Sequence, residues 1–379
     1  MPQSKSMSVF ILARSLDIGG AERQLILLAK GLRRRGHSVQ VGLFYSGGSL
    51  LPELDGSGVE VVDLGKRGRW DWPRFMRTLV AELRRRRPDV LYSFLPGPNV
   101  VAAAARPLIP RTRLVWSVRA SDMNLAEYGP VERLARKLES ALSRTPDVII
   151  ANSSAGAAHA VRNGFPGGRI IVVPNGIDTD RFRPDAELRR KQRSALGLKK
   201  DQIAVGVLAR LDPMKGYRTF LEAAAIVAPR EARVRFLCIG DGPERRGLEA
   251  RADELGLGEQ VVFTGELDPV AALNALDIAC SSSLWGEGFS NAVAEAMACG
   301  LACIVTDAGD SAAIVGSLGT VVPAGSATAL ADAITAEVAK LPSHDPAGPR
   351  QRIVEQFSVD AMVDATVAVF RSSTRREIA

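Results

Sequence analysis

Histidine is almost missing from this 379-residue chain: His37, His159 and His344 are the only three, far apart in sequence. None stands in a cluster with a second histidine or a cysteine, so no zinc centre built from side chains is expected, and the three read as surface or satisfied helical residues. The four cysteines, Cys238, Cys280, Cys299 and Cys303, stand in or beside apolar runs without a C-x-x-C pair. That pattern reads as buried free thiols in a reducing compartment. Aromatic residues make up only 5%, and no nucleic-acid-binding motif is present, so the basic balance alone does not make nucleic acid the partner. No apolar run reaches the roughly 20 residues that cross a bilayer. The start is polar and the run from Val9 ends at Arg14, so no signal peptide and a cytoplasmic place are expected.

What is present is an ordinary globular composition, 46% hydrophobic and 24% charged, on a chain long enough for two cores. The net charge of +7 is uneven: residues 1 to 175 carry 26 Lys and Arg against 14 Asp and Glu, whereas the remainder is net negative. The first half is therefore drawn to something anionic, or simply wears a solvated arginine surface. Runs such as Arg33 to Arg35 and Arg84 to Arg87 close helical patterns, where cations complement the helix dipole.

Short apolar runs alternate with helical spacing almost throughout. Ser8 to Ala13, Ser38 to Phe44, Val59 to Asp63, Val90 to Phe94, Leu114 to Val118 and Val148 to Ala151 read as buried parallel strands. The pattern restarts at Ile203 to Leu208 and runs through Arg233 to Ile239, Gln260 to Thr264, Ile278 to Ser281, Ala302 to Thr306 and Gly319 to Val322. The α/β class with two Rossmann-like domains follows, divided within Val172-Val173-Pro174-Asn175-Gly176-Ile177-Asp178. The expected boundaries are 1 to 172 and 173 to 356, with a last helix over 359 to 372, N-capped by Ser358.

Two constellations carry chemistry. In Gly286-Glu287-Gly288-Phe289-Ser290-Asn291, a glycine-bearing loop opens a small-residue helix that ends before Gly300. Such a helix start offers backbone N–H groups and positive dipole to a phosphate. Glu295 lies eight positions beyond Glu287, at most about 12 Å along a helix, comparable to the span from a transferred sugar to a ribose across a diphosphate. Carboxylates accept from paired sugar hydroxyls. The second constellation, Arg210-Leu211-Asp212-Pro213-Met214-Lys215-Gly216, follows a strand and sets two cations to converge on one anion. Gly240-Asp241-Gly242-Pro243 lacks the third glycine of a dinucleotide fingerprint, so no nicotinamide cofactor is expected. Trp70, Trp72, Phe75 and Met76 open a helix that reads either as a crossover packed on the sheet or as a membrane-touching surface.

Together these elements resemble glycosyltransferase family 4, retaining enzymes with the GT-B fold, in which two Rossmann-like domains face each other across a cleft and the last helix returns to the first domain. Glu287 and Glu295 match the family's E-x7-E motif, Arg210 and Lys215 its diphosphate-binding pair, and the Gly19-Gly20 stretch its N-terminal glycine loop. The resemblance implies that Glu295 holds the ribose and Glu287 the transferred sugar, with the amides of Gly288, Phe289, Ser290 and Asn291 on sugar and phosphate. It implies that Gly19 and Gly20 admit the diphosphate or acceptor, and that Arg119, near the place of the family's histidine, contacts donor sugar or acceptor. It further implies a UDP-linked donor, no metal or other cofactor, and a glycan or lipid-pyrophosphate-linked acceptor of envelope polysaccharide synthesis at the inner membrane face. A sugar-nucleotide epimerase of the same fold and a basic nucleic-acid-binding protein are the rival readings.

Overall fold

The computed structural model describes residues 6–17, 19–68, 71–119 and 130–372. Ile18 of the glycine loop, Trp70, and Ala120 and Ser121 beyond Arg119 lie outside the described residues. The chain forms two compact units: one runs up to Gly176 and resumes at Val359, and the other is Ile177–Ser358.

In the first unit the strands are β1 (Ser8–Ala13), β2 (Ser38–Leu43), β3 (Glu60–Asp63), β4 (Val90–Phe94), β5 (Arg113–Val118), β6 (Val148–Ala151) and β7 (Ile170–Val172). They pair in parallel in the order β3-β2-β1-β4-β5-β6-β7. Its helices are α1 (Gly20–Arg34), α2 (Trp72–Arg86), α3 (Pro96–Ala105), α4 (Pro130–Leu142) and α5 (Ser154–Arg162). The second unit holds α6 (Ala186–Ala195), β8 (Ile203–Leu208), α7 (Tyr217–Val227), β9 (Val234–Ile239), α8 (Arg245–Glu254), β10 (Val261–Gly265), α9 (Pro269–Ala275) and β11 (Ile278–Ser281). It continues with α10 (Asn291–Ala298), β12 (Ala302–Thr306), α11 (Ser311–Val315), β13 (Thr320–Val322), α12 (Ala327–Lys340) and α13 (Ala347–Gln356), in a parallel sheet ordered β10-β9-β8-β11-β12-β13.

The inner strands of each sheet, such as β1, β4 and β12, are buried on both faces, which is why they read as apolar runs. On β1, Val9 and Ile11 face one core while Phe10 and Leu12 face the other. On β8 the same alternation separates Val205 and Val207 from Ala204. The last helix, α14 (Val359–Arg371), buries Val359, Met362, Val363, Val367 and Phe370 in the first unit's core. Gly31 of α1 makes room for it, since a Cβ there would lie 2.4 Å from Val363 Cγ2. Arg35 ties the same helix by ion pairs to Asp360 and Asp364.

The four thiols are free and buried, and burial pushes each of them up, Cys299 and Cys303 to about 12. One histidine departs from expectation. His37 is neither superficial nor helical; it is buried in the turn between α1 and β2, where Nδ1 accepts from Met7 N at 3.1 Å. The helix α2 packs Phe75 into the core, its ring 4.7 Å from that of Phe44, while Trp72 stays partly exposed beneath the Lys66 ammonium. Part of the arginine run also turns inward, because Arg86 is committed to Glu60 and Glu82.

Candidate functional site

Both sheets have the strand order in which connections leave in opposite directions from a central pair, and ligands of such sheets bind beyond the carboxyl ends at that point. In the second unit the pair is β8 and β11. The chain leaving β8 enters α7, whose Phe220 and Leu221 pack on one face, and the chain leaving β11 reaches α10, whose Val293 and Ala294 pack on the other. The two sequence constellations are the loops after these two strands. Topology thus brings together what 72 positions of sequence separate.

The first loop closes on itself. Asp212 accepts from Met214 N, Pro213–Lys215 form a single 3-10 turn, and Gly216 ends it in the left-handed region at φ 65°. A side chain at Gly216 would be strained by that φ, and its Cβ would lie 1.9 Å from Ser282 O, so only glycine lets the two loops touch. They are zipped by Ser282 Oγ donating to Lys215 O at 2.8 Å and Leu284 N donating to Met214 O at 2.8 Å. Against the second loop, Gly309 of the turn between β12 and α11 provides a similar close approach, a Cβ there falling 2.3 Å from Glu287 O.

Lys215 Nζ lies 2.5 Å from Glu287 Oε1, which also accepts from Ser283 Oγ at 2.6 Å. The Glu287 side chain is 9% exposed and that of Lys215 23%. Arg210, by contrast, pairs with Asp212 two residues on, its side chain 69% exposed. The two cations therefore occupy one loop and hold different carboxylates. Lys215, Ser281, Ser283, Glu287 and Ser290 line a cavity of about 30 Å³ whose other lining residues are apolar, Leu276 and Cys303 among them.

Ser290 is the N-cap of α10 without turning its hydroxyl onto the helix, and Asn291 is the first helical residue. Phe289 points inward, its ring 5.5 Å from that of Phe357, which fixes the backbone on either side of it. Gly288 O accepts from Asp310 N. Along α10, Val293, Ala294, Ala296 and Met297 are buried while Asn291, Ala292 and Glu295 remain partly accessible, so Glu295 shares its face with the helix start. The Gly240-Asp241-Gly242-Pro243 loop supports its neighbour: Leu211 N donates to Asp241 O, and Cβ atoms at Gly240 and Gly242 would strike Ala209 O and Leu211 O.

The remaining expected residues belong to the first unit. Gly19 is the N-cap of α1 in extended backbone and Gly20 its exposed first residue. Glu22 folds back toward Gly19, and burial, with Asp17 nearby, raises its carboxyl above the usual range. Arg119 stands just past β5 and is fastened on three sides: Nε to Ser117 Oγ at 2.7 Å, one terminal nitrogen to Asn175 Oδ1 at 2.7 Å, and the guanidinium 4.7 Å from the Phe94 ring centre. Sequence reasoning missed Ser283 and Gly309 as parts of the site, and gave Gly216 no role of its own. The serine run 281 to 283 at a strand's end was the available signal for the first.

Comparison with known proteins bears on both units. A model described as Glycosyltransferase Family 4 matches residues 18–181, and one described as Glycosyl transferases group 1 matches residues 202–339. The chain is 31% identical to EpsF of Bacillus subtilis, named as a glycosyltransferase, over 37% of this chain and 36% of that protein. It is 32% identical to the 2-deoxystreptamine glucosyltransferase of Streptomyces kanamyceticus over 60% of this chain and 62% of that one. The chain thus spans between about a third and just under two thirds of these first curated relatives. A D-inositol 3-phosphate glycosyltransferase of Rhodococcus erythropolis is 29% identical over 77% of this chain and 72% of its own length. Among solved structures, Anabaena Alr3699/HepE in complex with UDP superposes with a TM-score of 0.81 at 25% identity, covering 96% of this chain and 99% of that one. A glycosyltransferase from Rickettsia africae shares the fold at a TM-score of 0.80 and 17% identity, over 97% and 98% of the two chains. With a glycosyltransferase model seated on each of its parallel sheets, and with solved relatives matching along nearly its whole length, the chain belongs to the family 4, group 1 glycosyltransferases of GT-B fold.

Proposed function

We propose that this chain is a retaining, metal-independent transferase that moves a hexose or N-acetylhexosamine from a UDP-sugar to a glycan or lipid-pyrophosphate-linked acceptor of envelope polysaccharide synthesis. The observation that carries the donor half of this reading is the Lys215–Glu287 pair, held where the loops after β8 and β11 meet beside the start of α10. Phosphate suits a helix start and a lysine, whereas a largely buried carboxylate suits sugar hydroxyls. The second unit, 177–358, is accordingly the donor unit, and the UDP held by Alr3699/HepE supports uracil as the base.

In this reading Lys215 and Arg210 neutralise the leaving diphosphate, doing electrostatically what a metal does in other transferases. Glu287 and the amides around Ser290 orient the transferred sugar, and Glu295 takes the ribose. The acceptor attacks from the face the diphosphate leaves, no side chain acting as covalent nucleophile, so configuration is retained. The basic first unit, with Gly19, Gly20 and Arg119, takes the acceptor side and turns toward an anionic membrane surface.

A small cyclitol acceptor is the second reading. The relatives named for 2-deoxystreptamine and D-inositol 3-phosphate align over more of this chain than EpsF does. A panel of nucleotide-sugars tested by thermal shift identifies the donor, because a native-state ligand raises the melting temperature by mass action. The anomeric configuration of the product, read by NMR, tests retention, and an inverted product sinks it. Competition between a lipid-linked glycan and inositol phosphate separates the two acceptor readings.

A further inference from the structure

The first unit has a switch point of its own between β1 and β4. The chain leaving β1 enters α1, whose Leu25 and Leu28 pack on one face, and the chain leaving β4 enters α3, whose Val101 and Ala102 pack on the other. The turn after β1 carries Gly19 and Gly20. At the turn after β4 and the helix that follows it, two unfavourable features meet that the donor and acceptor roles proposed above leave unused.

The first is backbone. Leu95 has φ 75° and ψ 163°, a conformation that glycine adopts easily and a leucine does not. Among the described residues Arg87 is the one other non-glycine at positive φ, and it merely caps the end of α2. The second is a buried carboxylate. Glu139 of α4 is 6% exposed, and its Oε1 accepts from Asn99 Nδ2 at 2.6 Å. Asn99 is itself fully buried; its amide also donates to Ser117 O at 3.2 Å, and its Oδ1 accepts from Ser93 Oγ at 2.5 Å. Its main-chain N–H donates to Leu95 O at 3.0 Å, so the strained residue and the buried acid meet at one residue, one through its backbone and the other through its side chain.

Burial raises the Glu139 carboxyl to about 7, against the Asn99 hydrogen bond and the charge of Arg136 on its own helix. Helix α3, packed against α4, brings no ionisable side chain, and just past β5 Arg119 donates to Ser117 Oγ. Folding would be easier with a neutral residue at 139. Strain and an unfavourable buried acid, placed together at a switch point, mark a place held for a purpose other than stability.

We infer that Glu139 is a positioning residue for the transfer reaction: through Asn99 it fixes the Ser117 carbonyl and the end of β5, and thereby sets the Arg119 guanidinium. Removing it leaves one Asn99 amide proton without its acceptor inside the core, and Asn99 then turns away from Ser117. The inference rests on the transferase reading, with Arg119 on the acceptor side.

The test uses the full chain and UDP-glucose, with UDP release as the rate and UDP affinity measured by calorimetry. Glu139→Met, which fills the same volume without an acceptor, lowers kcat at least tenfold and leaves UDP affinity unchanged. Glu139→Gln, which keeps an oxygen for Asn99, restores kcat to within about twofold. Acting through Arg119, the Met substitution costs much less in an Arg119→Met background, since residues that work as a unit are not additive. Equal losses in both backgrounds, or a wild-type rate in Glu139→Met, overturn the inference. Should Glu139→Met not fold, Asn99→Ala replaces it, and there a wild-type rate, or equal losses with and without Arg119→Met, is the overturning result. A wild-type chain that neither binds UDP nor releases it from UDP-glucose refutes the donor reading and this inference with it; one that does both, with additive substitutions, refutes this inference alone.

Discussion

The ammonium of Lys215 and the carboxylate of Glu287 are partners at 2.5 Å, although the sequence places them on separate loops 72 residues apart. Each group limits what the other is free to do. Under the proposed function, a diphosphate accepting from Lys215 would release Glu287 for sugar hydroxyls, and the pair would couple recognition of the two halves of one donor.

Lys215→Ala is therefore expected to cost more than a charge. Turnover should fall on the order of 10²- to 10³-fold, the range for losing one preorganised electrostatic partner. Glu287 keeps only Ser283 of its two partners, and stability should drop by about 1–3 kcal/mol. Steady-state rates and urea denaturation measure the two effects, and near-normal sugar transfer refutes the assigned role.

Two glycines of the proposed site should respond differently to alanine. Gly216→Ala forces a Cβ against the Ser282 carbonyl at a left-handed φ, and a loss of roughly 1–3 kcal/mol is expected. Gly19→Ala meets only the movable end of the Glu22 side chain in extended backbone, so stability should change by less than about 0.5 kcal/mol. Its effect, if Gly19 admits the diphosphate or acceptor, is on turnover. Equal destabilisation of the two variants would contradict the close approach described at Gly216.

Glu139 makes stability depend on pH with a definite sign. Its carboxyl titrates near 4.5 when unfolded and near 7 when folded, so both states are protonated in acid. As pH rises the unfolded chain ionises first, and stability is lost progressively until pH passes about 7. Glu139→Gln lacks this loss. Its stability relative to wild type should grow by up to about 3 kcal/mol between pH 4 and pH 8, because a tenfold difference in proton affinity between the two states is worth about 1.4 kcal/mol. Denaturation curves at the two pH values decide, and a gap that stays constant counts against it.

Packing of α14 offers a suppressor test. Gly31→Ala should destabilise by roughly 1–3 kcal/mol through collision with Val363, and Val363→Ala in that background should recover part of the loss. Independent, additive penalties would show that the collision is relieved elsewhere.

The inner strands were legible because burial on both faces makes each an apolar run, and several, such as 90–94 and 203–208, lie where the sequence places them. The helix α10 was legible from its small residues and closing glycine. Helix α3 was harder, because Pro96-Gly97-Pro98 reads as a turn, although proline is welcome in a first helical turn, where its missing N–H has no partner to lose. The Lys215–Glu287 pairing was illegible for a different reason: nothing local says that β8 and β11 are neighbours. Glu139 was hidden likewise, since an acid on an amphipathic helix reads as solvated until α3 and Asn99 are in place.

The first unit is assembled from both sides of the second, and this orders its synthesis. The second unit has all its strands and helices once Ser358 has left the ribosome, whereas the face of α1 built around Gly31 waits for residues translated later. Until Val363, Val367 and Phe370 arrive, the first sheet has an uncovered apolar flank. A nascent chain stalled before α14 would carry one finished half and one in need of a chaperone.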